Sequence, residues 1–323
     1  MKTNFVDGLT APGEIIVDHW GVAHIYAENE ADAFFLQGYN AARDRLWQLD
    51  FWRRRGLGLL SEVFGPDYVE YDHGARLFLY RGDMAAEWAT YGDEAEAAIS
   101  NFVRGVNAYI SEVRNNPALL PVEFRALSYE PDFWKPSDVV RVRSQGLNYN
   151  APLEVARANT LCNLGADAES LREKLEPEWV LKVPVGSDPC ALPEGLLHLY
   201  NKAREKVKIL GSQNHATSGN PPEGSNNWVI APSRAATGRP ILANDPHRGY
   251  STPSLRYLVH VDSPGLAFAG AGEPFLPGIS IGHNGHVAFG FTIHPVDQDD
   301  IYVYQLKPDD ATSYKYRDGW ERI

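Results

Sequence analysis

Ser225 stands between a Pro/Gly-rich run, Asn220-Pro221-Pro222-Glu223-Gly224, and a strand-like run, Asn226-Asn227-Trp228-Val229-Ile230. Breaking the Gly224–Ser225 peptide would make this serine a chain N-terminus. Its α-amino group, with a pKa of about 7.7–8.0, could then take the proton from its own hydroxyl. One residue would serve as nucleophile and base, as in N-terminal-threonine hydrolases. Small polar residues after a proline pair also form ordinary turns, so Gly-Ser-Asn by itself does not establish the chemistry.

Two other groups of residues compete for the role. Gly278-Ile279-Ser280-Ile281-Gly282 matches the nucleophile-elbow pattern and would make Ser280 an esterase serine. That motif needs a strand before it and a helix directly after it. Here Pro277 precedes it and Asn284-Gly285, a hairpin turn signal, follows. His283 and His286 lie near Asp297, Asp299 and Asp300. A histidine pair across an Asn-Gly turn is not the helical zinc arrangement. Closely spaced carboxylates suit calcium better, although a solvated acidic loop would have the same composition.

Downstream of Ser225 come Ile241-Leu242-Ala243-Asn244-Asp245-Pro246-His247, Pro277 to Gly285, Ala288-Phe289-Gly290-Phe291-Thr292 and Asp297-Gln298-Asp299-Asp300-Ile301-Tyr302. Near the N-terminus stand Gly21-Val22-Ala23-His24-Ile25 and the run from Gly38 to Asp50. In order and spacing these blocks resemble the penicillin acylase family of N-terminal-nucleophile hydrolases. The first third resembles the start of that family's α-chain and the last third the start of its β-chain. The middle matches loosely.

The resemblance implies an α+β protein of the four-layer αββα sandwich type, with its second half incomplete. It divides the chain into an α-chain-like region (1–202), a spacer removed on maturation (203–224) and a β-chain-like region (225–323). It implies hydrolysis of a small-molecule linear amide through an acyl-enzyme on Ser225, after autocatalytic cleavage at Gly224 and Ser225, with the stretch to Ile323 alone expected to be inactive; the alternatives are the Ser280 esterase and a non-catalytic fragment. The backbone of His247 would orient the new amino group. The N–H of Ile293 would serve the oxyanion hole with an asparagine expected beyond Ile323. Phe291 falls in the substrate pocket. Arg248, next to His247, would favour acyl groups carrying a carboxylate, unless it points outward to a surface acid. The resemblance further implies one structural calcium per heterodimer, held by Asp297, Asp300 and the backbone of Asp299, with Glu154 as the ligand from the α-chain. The α and β pieces would stay together as partners.

Composition fits this. With 323 residues, 44% of them apolar, the chain can bury a sizeable core. Its net charge of −12, without a basic stripe, argues against nucleic acid or an anionic membrane as partner. No stretch approaches a membrane span, and Met1 to Gly8 has no apolar run of signal-peptide length. A cytoplasmic location is expected from these residues, with a periplasmic one requiring a leader. Cys162 and Cys190 define no disulfide framework, and two buried free thiols are expected.

The elements that must position these residues follow from periodicity. Ile15-Ile16-Val17 and Val22 to Tyr26 flank Asp18-His19-Trp20-Gly21, which predicts a hairpin. Phe35, Tyr39, Ala42, Leu46 and Leu49 share one helical face, leaving Asp44 and Arg45 on a solvated or salt-bridged side. From Asp93 to Leu210 the pattern is mainly helical, interrupted by prolines, and Gly211 to Gly224 reads as a linker. After Ser225, strands are predicted over 228–230, 239–243, 255–261, 279–281, 286–291 and 301–306.

Overall fold

The computed structural model describes residues 5–144, 150–172, 181–209, 224–247, 251–293 and 297–323. In chain order come β1 (Gly13–Val17), β2 (Ala23–Ala27), α1 (Glu30–Leu57), α2 (Ser61–Phe64), α3 (Val69–Leu77), α4 (Met84–Trp88), α5 (Ala95–Asn115), α6 (Val122–Leu127) and α7 (Pro136–Ser144). Then follow α8 (Ala151–Leu164), α9 (Ala166–Arg172) and α10 (His198–Arg204). The strands after Ser225 are β3 (Gly224–Ile230), β4 (Ile241–His247), β5 (Tyr257–Ser263), β6 (Leu266–Gly272), β7 (Ile281–His283), β8 (Ala288–Phe289), β9 (Leu306–Lys307), β10 (Asp310–Tyr316) and β11 (Gly319–Arg322). The chain forms two compact units, Met1–Gly146 with Lys202–His294, and Leu147–Asn201 with Pro295–Ile323. Each unit therefore takes residues from both sides of Ser225. Among the described residues no helix is long and apolar enough to cross a membrane.

In the first unit, β1 and β2 form the predicted hairpin. Asp18 Oδ1 accepts the backbone N–H groups of Trp20 and Val22 at 2.8 and 2.9 Å, and Gly21 takes φ 79° in the turn. Helix α1 starts where the Asn29 side chain accepts the Asp32 N–H at 2.8 Å and stops at Gly58, whose φ of 66° is left-handed. Phe35, Tyr39, Ala42, Leu46 and Leu49 are buried, as their spacing predicts. Gln37, Asn40, Asp50 and Arg54 are buried too, so α1 is a central helix with polar partners on its other sides. Helix α5 crosses it at two glycines. A Cβ on Gly38 would lie 2.0 Å from the Phe102 carbonyl oxygen, and one on Gly105 would lie 1.9 Å from that of Phe35. No side chain larger than hydrogen fits at either position.

The six-stranded sheet runs β1-β2-β5-β6-β7-β8. Only the β2–β5 pairing is parallel. Period-two alternation turns Ile25, Val259, Val261 and Phe268 into the core shared with α1 and α5. Strand β6 was not expected: Leu-Ala-Phe-Ala-Gly-Ala-Gly lacks the β-branched signature. Its glycine has a use, since a Cβ on Gly270 would meet the Ile281 carbonyl oxygen at 2.1 Å. The Asn284-Gly285 turn forms as predicted, with Asn284 N–H donating to Val287 O at 3.2 Å. The strand expected over 286–291 is confined to Ala288–Phe289.

The second unit contains α8, α9 and the β9–β11 sheet. Of the strand expected over 301–306, only Leu306 is in β9. The expectation of buried free thiols is wrong: Cys162 and Cys190 are exposed and form a disulfide, with Cα atoms 5.1 Å apart. Sequence spacing could not show that a turn 28 residues downstream of α8 returns to it. Closing a loop of that length removes about 3–4 kcal/mol of unfolded-state entropy in the chain-entropy picture.

Candidate active site

Ser225 lies near the start of β3, which pairs antiparallel with β4 in a two-stranded sheet, Gly224 opposite His247 and Ser225 opposite Pro246. The strand holds Ser225 half-buried, and its Oγ donates to the Gly224 carbonyl oxygen at 2.6 Å. The hydroxyl is thus held against the carbonyl that cleavage would attack. A Cβ on Gly224 would meet His247 Nδ1 at 3.3 Å, so the imidazole packs over this glycine. Its Nε2 lies 3.2 Å from both Asp245 Oδ2 and Asn226 Nδ2.

The stretch containing Ile293 is tied to this strand. Asn244 Nδ2 donates to Phe291 O at 2.9 Å and to Asn226 O at 3.3 Å, and Thr292 Oγ1 donates to Ser225 O at 3.1 Å. Ile293 is the next residue and is partly exposed. Asn244 Oδ1 is buried with no hydrogen-bond partner among the described residues. Asn244 thus ties β4 to β3 and to the segment around Phe291. Asn226, Asp245 and Thr292 were not singled out by sequence, yet two consecutive asparagines inside a strand, where that residue is depleted, were a readable signal. Gly290 permits the arrangement, because a Cβ there would lie 2.7 Å from Asn244 Cγ and 3.0 Å from Asn227 Nδ2. Gly290→Ala is therefore expected to displace Asn244 and lower kcat on the order of 10- to 100-fold. Steady-state kinetics beside a melting curve would check this, with the melting transition largely kept.

Phe289 and Phe291 are exposed and meet edge to face, ring centres 5.5 Å apart. Arg248 lies outside the described residues. The Ser280 alternative fails: Ser280 Oγ donates to Glu273 Oε2 at 2.7 Å, and β7 and a hairpin follow it instead of a helix. His283 and His286 are exposed residues of that hairpin.

In the second unit, Glu154, Asp297 and Asp300 line one cavity of about 700 Å³, with Arg157 and Lys182 also on its wall. Asn150, buried, organises the acidic loop. It donates through Nδ2 to Asp297 Oδ1 at 2.7 Å and accepts the N–H groups of Gln298 and Asp299 at 3.0 and 2.8 Å. Its own N–H donates to Asp299 Oδ2 at 2.9 Å. Asp299 is thereby committed to backbone contacts, whereas Glu154 pairs with Arg157 at 2.7 Å. Burial pushes the Glu154 carboxyl above its ordinary range, Arg157 opposes this, and Asp297 and Asp300 add to the push. Like charges converging on one cavity offer the hard oxygen set that calcium takes. Among the described residues no group of three or more His, Cys, Asp or Glu side chains already stands placed to hold a metal ion.

A curated relative, Penicillin acylase 2 proenzyme of Pseudomonas sp. (strain SE83), is 33% identical over 95% of this chain and 39% of its own length. Penicillin G acylase of Escherichia coli is 27% identical over 96% of this chain and 42% of its own length. Acyl-homoserine lactone acylase QuiP of Pseudomonas aeruginosa (strain PAO1) is 31% identical over 90% of this chain and 34% of that protein. A solved structure, thermostable Penicillin G acylase from Alcaligenes faecalis, aligns at TM-score 0.43 with 25% identity over 56% of this chain and 97% of that one. The chain thus spans about two fifths of the length of the first curated relatives it matches. The penicillin amidase family model matches residues 12–323, and the chain belongs to that family.

Proposed function

We propose that the protein is an amidohydrolase that is cut before Ser225 and then uses the exposed serine as its nucleophile. The observation that carries this is the Ser225 hydroxyl at 2.6 Å from Gly224 O, in a chain of this family. Attack of Oγ on the Gly224 carbonyl carbon shifts the acyl group from nitrogen to oxygen. That shift frees the Ser225 amino group, and water then hydrolyses the ester, releasing the Gly224 carboxylate and restoring the hydroxyl. His247, with Nδ1 beside Gly224, suits the role of proton carrier in this step. In turnover the amino group takes the hydroxyl proton, Oγ attacks the substrate amide and the amine leaves with a proton. Water releases the acid. The N–H of Ile293 is the oxyanion donor from this chain, each such donor being worth about 3 kcal/mol. Phe291 and Arg248 would line the acyl pocket. The sheet covered by α1 and α5 supplies one α and one β layer of an αββα sandwich.

The relatives' names suggest two substrate classes, a penicillin and an N-acyl-homoserine lactone, both linear amides. Intact-mass analysis of the purified protein, followed by kcat/KM on both, tests the reading. A break before Ser225 with amide turnover is the expected result, and an unbroken chain hydrolysing either substrate would overturn it.

Calcium is the second part of the proposal. Glu154, Asp297, Asp300 and the Asp299 carbonyl would hold it, and it would supply structural cross-linking of the acidic loop to α8, with no part in bond cleavage. A ligand bound only to the folded state stabilises it by mass action. Chelation is expected to lower the melting temperature, and Asp297→Asn to remove most of that response. An unchanged melting temperature after exhaustive chelation would reduce the cluster to a surface loop.

A further inference from the structure

The outer face of the six-stranded sheet carries a histidine pair that the Ser225 chemistry does not use. His24 of β2 and His260 of β5 are register partners across the parallel pairing. Their Nδ1 atoms lie 3.3 Å apart, with ring centres 5.2 Å apart and planes at 59°. Two imidazole nitrogens on one tetrahedral zinc, each bonded at about 2.0–2.1 Å, stand about 3.3–3.4 Å apart, which puts the ring centres about 5.2 Å apart. A straight N–H···N hydrogen bond of the same length would separate the ring centres by about 5.6 Å. The observed spacing therefore fits lone pairs bent toward a common point.

A second contact supports the same conclusion. The other nitrogen of His24, Nε2, lies 3.4 Å from Asp18 Oδ2, while Asp18 Oδ1 is anchored by the N–H groups of Trp20 and Val22. A carboxylate behind the far nitrogen puts the proton on Nε2 and leaves Nδ1 free to ligate, the arrangement found behind metal-bound histidines. The edge of Tyr26 fixes the His260 ring, at 5.7 Å between centres. The His24 side chain is 32% exposed, so solvent ions reach it.

We propose that His24 and His260 form a binding site for a borderline divalent cation such as Zn²⁺, through Nδ1 of each, with water completing the shell and Asp18 orienting His24. Two protein ligands make an exchangeable, structural site. Residue 24 precedes Ser225 and residue 260 follows it. The ion would thus join the segments that a cut before Ser225 would separate, but binding itself does not depend on the cut.

The test uses untagged, chelator-stripped full chain, titrated calorimetrically with Zn²⁺ in excess calcium so that the acidic cluster is occupied. One Zn²⁺ per chain is expected. His24→Gln and His260→Gln should each weaken binding at least tenfold, Asp18→Asn by up to about tenfold, and His286→Gln not at all. Equal affinity in wild type and both glutamine variants, or no binding by wild type, would overturn the site. Should either variant fold poorly, Co²⁺ added to wild type decides the matter. Intense visible bands of tetrahedral cobalt with nitrogen ligands support the pair, and only the weak spectrum of six-coordinate cobalt refutes it.

Discussion

Ser225→Ala is expected to leave the protein uncut before residue 225 and to lower kcat/KM for any amide substrate by at least about 10⁴-fold. Both losses have one origin. On the proposed mechanism, the hydroxyl that sits against Gly224 O breaks the peptide, and the amino group that would act as base exists only after the break. Ser225→Cys separates the two steps: sulfur can still attack the Gly224 carbonyl, so part of the chain should be cut while turnover stays well below wild type. Intact mass and kinetics on the same preparations read both. Amide hydrolysis at wild-type rate by the alanine variant would remove Ser225 from the chemistry altogether.

Arg54→Ala is expected to destabilise the first unit by about 3–5 kcal/mol. Arg54 is 3% exposed and donates from Nε to Asp50 Oδ2 at 2.9 Å and from Nη2 to Asp132 Oδ2 at 2.6 Å. Removing it strands Asp50, 1% exposed, as a buried charge with its closest cation gone. Burial already pushes the Asp50 carboxyl up, with Arg54 the chief opposing influence. Without Arg54 the folded-state pKa rises further above the unfolded value, so the folded chain binds the extra proton and the deficit shrinks as pH falls through that raised pKa. Urea unfolding at pH 7.5 and near pH 5 should show the larger loss at the higher pH. Exposed Arg125→Ala should stay within about 0.5 kcal/mol at both.

What could be read from the sequence was what depends on local order. The period-four-and-three spacing of Phe35 to Leu49 showed the inner face of α1, and Asp18 to Gly21 and Asn284-Gly285 showed two turns, because helix faces and tight turns are decided by a few neighbouring residues. The buried polar side of α1 was not legible. Asp50 and Arg54 are an i,i+4 pair whose buried network is completed by Asp132, distant in sequence. Strand β6 was missed because its alanines and glycines serve close approach to β7, a long-range demand. At the candidate site, Ser225 and His247 were named through the family resemblance, and the structure sets His247 opposite Gly224. Thr292 and Asn226 make contacts between segments far apart in sequence, which no spacing rule reports. The disulfide failed for the same reason: pairing is a fact of folded distance.

The parallel contact between β2 and β5 has a kinetic meaning. Strands β1 and β2 precede Ser225, while the other four strands of the sheet follow it. The uncut chain assembles this sheet by a unimolecular search. Were the peptide before Ser225 broken, as proposed, the same sheet could be rebuilt after denaturation only by an encounter of two separate polypeptides, so renaturation would become second order and depend on concentration. A cut protein would keep an architecture whose assembly instructions it had partly erased. Its lifetime is then governed by how slowly it unfolds, and diluting it after denaturation should recover far less structure than diluting the precursor.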